Sequence, residues 1–231
     1  MLILAVDTGT QAGSLAVLRD TQVQGVVSTW TEETYSSRMF RHLEFLLSEL
    51  KLDLKGFDLF AAGAGPGSFT GLRVGLTAVK GWAEVYQKPI AAVSALEAVA
   101  AQSRAGGGIL VPVLDARRGQ VYGGVYRRVG EDLERLGDER VMTPEEFLAS
   151  LRAEVGSAKP TFIAPTPEIL AGPVARSEFA GRSIEQVSTV LAPVIGRLGL
   201  ACARRGELVD ALRLDANYIR RSDAELLWKG P

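Results

Sequence analysis

Two short apolar runs, LILAVD at residues 2–7 and ILVPVLD at 109–115, both end in aspartate, and each opens the same succession of patterns. After the first come GSLAVLR (13–19) and QVQGVVSTW (22–30), which read with it as an antiparallel meander. Residues 37–50 place Met39, Phe40, Leu43, Leu46, Leu47 and Leu50 at helical spacing. A strand FDLFAA (57–62), a glycine-rich loop, a helix over 71–87 and a strand IAAV (90–93) follow. SALE (94–97) reads as a capping box, with its helix ending near Gly106. After the second run come QVYGGVYRR (120–128), a run around 133–141, and a capping box TPEE (143–146) with Pro144 at the first helical position. TFIA (161–164), a short helix from TPEIL (166–170), RSIEQV (182–187) and a helix over 189–205 stopping at Gly206 complete the chain's order. Two βββαβαβα units in tandem imply an internal duplication, divided as 1–105 and 106–231. The expected fold is α/β, with mixed sheets, flanking helices and a cleft between the halves. Helix 189–205 is a candidate to pack back on the first unit.

Asp7 and Asp115 occupy matching places, each before a turn. Ligands of α/β folds gather beyond such strand ends. Aspartates also start turns by accepting from backbone amides. Both readings stand at this level.

Composition removes several classes of function. The formal charge of −1 speaks against a protein that grips nucleic acid by charge alone. No apolar run approaches the ~18 residues of a membrane span. The opening MLILAVDTGT has no basic segment and reads as a strand, so no secretory signal is expected and the cytoplasm is the default. A single cysteine, Cys202, allows no internal disulfide or CxxC motif. A single histidine, His42, rules out HExxH and HxxxH sites within one chain, leaving no metal motif and making a peptidase a remote reading.

The loop GAGPGSFTGLRVG (63–75) invites a phosphate-binding reading, yet it fits none of three familiar patterns. Walker A requires GK[ST] where Gly71-Leu72-Arg73 stands, a Rossmann turn requires glycine where Thr70 stands, and GxSxG fails at the same residue. Amides at the helix start could draw an anion. Alternatively Gly65, Pro66, Gly67, Ser68, Thr70 and Gly71 shape the backbone for close packing, with Ser68 or Thr70 as cap. The residues themselves favour packing. The following helix is apolar nearly all round, through Leu72, Val74, Leu76, Val79, Trp82, Val85 and Tyr86, with small residues at Gly71, Gly75, Ala78 and Gly81. Such a helix is buried or covered by a partner. In the 37–50 helix, Phe45 points away from the main stripe, among Arg38, Arg41, His42 and Glu49. The expectation is one docking patch led by Phe45, Leu72, Leu76 and Val79, with close approach at Gly75 and Ala78.

These residues resemble a known family. GPGSFTGLRVG (65–75) is similar to the signature of the TsaB (YeaZ) family, ILAVDTGTQAGSLAVL (3–18) to its opening, PVLDARRGQVYGGVY (112–126) to its second block and NYIRRSDAE (217–225) to its tail, with Ala216 where a proline is common. The likeness is strongest in 1–98 and 109–126. It implies an actin-like, hexokinase/Hsp70-type (RNase H-like) duplicated fold and a part in forming N6-threonylcarbamoyladenosine at position 37 of tRNAs that read ANN codons. In that pathway the related TsaD carries the transfer and binds a metal through an HxxxH helix. Here His42 lies on the corresponding helix, but Leu46 stands four residues on. The resemblance thus implies a non-catalytic partner without cofactor or metal. It would form a heterodimer with a TsaD-type protein, be joined by a TsaE-type ATPase, and reach tRNA only through the complex. A homodimer is one form open to it when alone. The implied partner-binding residues are Arg38, His42, Phe45, Leu72, Gly75, Leu76, Ala78 and Val79, while Asp7, Thr8 and Asp115 would line a vestigial cleft. The alternative is a small-molecule kinase of the same fold, using Asp7 and Asp115 for Mg-nucleotide.

Overall fold

The computed structural model describes residues 1–30 and 35–220. In chain order the first repeat runs β1 (Leu2–Asp7), β2 (Ser14–Arg19), β3 (Gln22–Val27), α1 (Tyr35–Leu50), β4 (Leu59–Gly65), α2 (Phe69–Tyr86), β5 (Ile90–Ser94) and α3 (Ala95–Ala101). The second runs β6 (Gly108–Arg117), β7 (Gln120–Gly123), β8 (Tyr126–Val129), β9 (Asp132–Arg135), β10 (Arg140–Met142), α4 (Pro144–Ser150), α5 (Arg152–Val155), β11 (Thr161–Ala164), α6 (Glu168–Ala175), β12 (Ile184–Gln186) and α7 (Ala192–Arg205). By contacts the chain forms two compact units. One is Met1–Ala98 with Thr189–Asn217, and the other is Val99–Ser188 with residues 218–220.

The first unit is built on a five-stranded sheet in the order β3-β2-β1-β4-β5. β1 pairs antiparallel with β2 and parallel with β4, and β5 continues parallel to β4. Burial on both faces explains why β1 and β4 are continuous apolar runs, whereas the edge strand β3 alternates exposed and half-buried residues. Strand alternation separates two cores. Leu2, Leu4, Val6, Leu15, Val17, Phe60 and Ala62 pack with Met39, Leu43, Leu76 and Val79 of α1 and α2. On the other face α7 lies against β1, β2, β4 and β5. Its glycines permit that approach. A Cβ at Gly199 would meet the Cβ of Ala61 at 2.7 Å, and one at Gly196 would overlap Leu18. The last helix of the second repeat therefore belongs by packing to the first unit.

The second unit repeats the strand order, with interruptions. β7 and β8 both pair antiparallel with β6, in one register from Gly108 to Asp115 that shifts between Asp115 and Arg117, and the gap between them is held by the Gly124 amide donating to Pro112 O at 3.3 Å. β10 pairs with β7 and β9 with β8, so the meander's third strand is broken too. β11 and β12 follow in parallel. At the break, Phe147 of α4 occupies the space beside Gly123, and the Tyr126 hydroxyl donates to the buried carboxylate of Glu139. The capping box before α4 forms in full, with Glu146 N donating to Thr143 Oγ1 and Thr143 N to Glu146 Oε2. α3 is shorter than expected. It ends at Ala101 rather than near Gly106, and Ser103 and Arg104 bind the Glu185 carboxylate instead of extending the helix.

Candidate functional site

The end of β1 meets the glycine loop within the first unit. Asp7 is buried, and its carboxylate accepts from the amides of Gly9 (3.0 Å) and Thr10 (3.3 Å) and from the Thr10 hydroxyl. Burial pushes its pKa above the usual carboxylate range, opposed by the Thr10 hydroxyl and the two amides. Turn amides of this kind hold phosphate in other proteins. Here Asp7 itself occupies them.

The glycine loop closes onto the same turn. The Ser68 amide donates to Gly9 O at 2.8 Å, and the Ser68 hydroxyl caps α2 by accepting from Gly71 N at 3.3 Å. A Cβ at Gly67 would come to 2.6 Å from Gly9 O; at Gly71 it would overlap the Thr8 carbonyl oxygen, and at Gly75 the Thr8 hydroxyl. Gly65 adopts φ +107°, a region reserved for glycine, and the adjacent Ala64 O accepts from Asn217 N at 2.7 Å. Pro66 follows, buried, and Thr70 is exposed. The inner side of the loop thus packs directly on the carbonyls of Thr8 and Gly9 of the turn after β1.

Helices α1 and α2 depart from the sequence expectation. Val79 is 0% exposed, and Leu72, Gly75 and Leu76 are also buried, so none of them contributes to an exposed patch. One side of α2 faces β1 and β4 and a flank meets α1, which absorbs the apolar surplus into the core. Arg38 is likewise buried, at 3% exposure. Its guanidinium donates to Thr29 O and to the Thr29 hydroxyl, and its Cζ stands 5.2 Å from the centroid of Tyr35. His42 is half-buried beside it, with Nδ1 3.5 Å from Tyr35 Oη and Nε2 3.4 Å from Thr29 Oγ1. Tyr35 is buried where a side chain on Gly13 (φ +50°) would stand; burial, and then the Asp7 charge, push its phenol pKa well up.

The residues that do face outwards are Phe45 (57% exposed), Phe40 (55%) and Val85 (73%), with Ala78 half-buried and open space at Gly81. Phe40 lies at the margin of the apolar stripe and is exposed, and the helix begins at Tyr35, ahead of the 37–50 expected from spacing. In the second unit, the exposed Asp115 uses one carboxylate oxygen to accept from Arg117 N at 2.7 Å. Among the described residues, no three or more His, Cys, Asp or Glu side chains are placed to hold a metal ion.

Residues 15–193 match the family model described as TsaD: tRNA N6-adenosine threonylcarbamoyltransferase. The chain is 37% identical over 152 residues to the tRNA threonylcarbamoyladenosine biosynthesis protein TsaB of Bacillus subtilis, covering 66% of each. With TsaB of Haemophilus influenzae it shares 27% identity over 241 residues, covering 99% of this chain and 96% of the relative. The structure of YeaZ from Pseudomonas aeruginosa superposes with a TM-score of 0.75 at 29% identity, covering 94% and 99% of the two chains. The chain belongs to the TsaB/YeaZ family. Matched segments span about two thirds of the Bacillus TsaB and 56% of TsaB from Escherichia coli. Membership places the duplicated α/β architecture within the actin-like fold. Within residues 65–75, Gly67, Gly71 and Gly75 are the glycines that close on Thr8 and Gly9.

Proposed function

We propose that this chain is a non-catalytic subunit in the formation of N6-threonylcarbamoyladenosine at position 37 of tRNAs that read ANN codons, acting as the partner of a TsaD-type protein. The reading is carried by the near full-length similarity to a relative named as a TsaB biosynthesis protein. The local chemistry supports the accessory role. Asp7 is engaged by its own turn, the glycine loop is filled by backbone, and a lone histidine cannot rebuild an HxxxH pair. Docking uses the outward side of α1 and α2, where Phe40, Phe45 and Val85 supply apolar anchors and Ala78 and Gly81 allow close approach of another helix. The occupant is the TsaD-type partner or, in its absence, a second copy. A TsaE-type ATPase joins this pair, and the assembly works in the cytoplasm.

Depletion of the chain in its host, followed by nucleoside analysis of bulk tRNA, tests the role. Threonylcarbamoyladenosine should fall, and the tagged chain should co-purify with a TsaD-type protein. Unchanged nucleoside levels, or ATP turnover by the isolated chain, would overturn it.

A further inference from the structure

The proposed role leaves the block PVLDARRGQVYGGVY unused. In the second unit it forms the β6–β7 hairpin, and its tip holds three successive left-handed residues, Arg117, Arg118 and Gly119, with φ of 64°, 55° and 72°. Glycine and asparagine suit such positions, whereas arginine is a costly choice at both. The turn is braced so that it keeps this shape. Asp115 accepts from Arg117 N at 2.7 Å, and the Arg220 guanidinium donates to Ala116 O at 2.8 Å and to the Gln120 side chain, on the two strands. Arg220 also stands 5.9 Å from the Tyr122 ring centroid. Both tip arginines are exposed, and Arg117 lies 3.9 Å from Asp115, an exposed pair of little strength.

We propose that this hairpin tip contacts the phosphodiester backbone of RNA, Arg117 and Arg118 each meeting a phosphate. The inference rests on the proposed function, in which the chain acts on tRNA within a complex. A guanidinium fork matches phosphate oxygens with two parallel hydrogen bonds. A protein partner would need an apolar centre to its interface, and Asp115, Arg117, Arg118 and Gly119 offer none. With a formal charge of −1 the chain has no general pull on RNA, so two placed cations act as a local contact.

The test uses the full chain assembled with its TsaD-type partner and an unmodified transcript of a tRNA reading ANN codons. Wild type is compared with R117N/R118N, which suits the left-handed turn, and with R117K/R118K, which keeps the charge. Unaltered circular dichroism and thermal melting certify each variant's fold. The asparagine pair should weaken tRNA binding and make the plot of log affinity against log salt shallower by about 1.5. The lysine pair should keep the wild-type slope. Equal slopes for wild type and R117N/R118N would overturn the proposal, as would a lysine pair as shallow as the asparagine pair. Loss of assembly with the partner in R117N/R118N would also overturn it, by making the tip a protein contact. Failure of the wild-type chain to assemble at all, with tRNA modification intact after depletion, would instead remove the proposed function beneath it.

Discussion

The backbone amide of Ser68 donates to the carbonyl oxygen of Gly9 across 2.8 Å, so the glycine loop and the turn after β1 act as one packed piece. Gly67 and Gly71 flank that bond, each with no room for a Cβ against Gly9 or Thr8. Gly71→Val should therefore destabilise the chain by about 2–3 kcal/mol through overpacking, a drop in Tm of about 4–12 °C for a domain of this size. Thermal melts check it. A folded variant with unchanged Tm that abolishes tRNA modification would show a direct functional contact in the loop instead.

Val79 and Phe45 should separate when each is changed to glutamate. Val79→Glu buries a charge among Phe60, Leu76 and their neighbours and should cost more than about 3 kcal/mol, enough to unfold much of the population. Phe45→Glu alters an exposed side chain and should stay within about 0.5 kcal/mol of wild type, while weakening association with the TsaD-type partner. Urea melts and size-exclusion chromatography read the two effects. A well-folded Val79→Glu protein would contradict the packing described for α2.

Asp7 gives a pH signature. Its pKa in the folded chain is raised above the ordinary 3.8 by burial, so the folded state binds the proton more tightly than the unfolded one. Stability contributed by the protonated form is then full below the unfolded pKa and is lost as pH rises through the folded pKa. Relative to Asp7→Asn, the wild type should lose stability as pH rises from about 4 towards neutrality. Paired urea melts across that range should show the difference widening with pH. A difference that narrows would mean that the Thr10 hydroxyl and the two amides outweigh burial.

Gly199 should tolerate little. Its place against Ala61 and Ala91 means that Gly199→Leu forces α7 off the first sheet. The expected loss is about 3 kcal/mol or more, since several buried apolar contacts go with it. Hydrogen exchange should report the loss in β1, β4 and β5, and protection there equal to wild type would refute it.

The strand order was readable because each repeat opens the same way: an apolar run ending in aspartate at β1 or β6, then short runs after turns, then helical spacing. The breaks at 124–125 and 136–139 were not, since Gly123 yields to Phe147 only in three dimensions. Helical periodicity marked α2 as apolar all round but could not say how much of it β1, β4 and α1 would cover, and so placed Leu72, Leu76 and Val79 outside the core. Phe40 erred in the opposite direction, because a residue at a stripe's margin is buried or exposed according to its neighbours. Asp7 was legible as important; that its partners are the amides of its own turn needed coordinates.

The packing of α7 on the first sheet bears on how the chain is made. β5 ends at Ser94, yet the helix that covers this face of β1, β2, β4 and β5 begins only at Ala192. At about 5–20 residues per second of synthesis, on the order of ten seconds separate the two. During that interval Ile3, Ala5, Leu18, Ala61 and Ala91 stand uncovered on the nascent chain. The first unit therefore cannot complete its packing until α7 has been made.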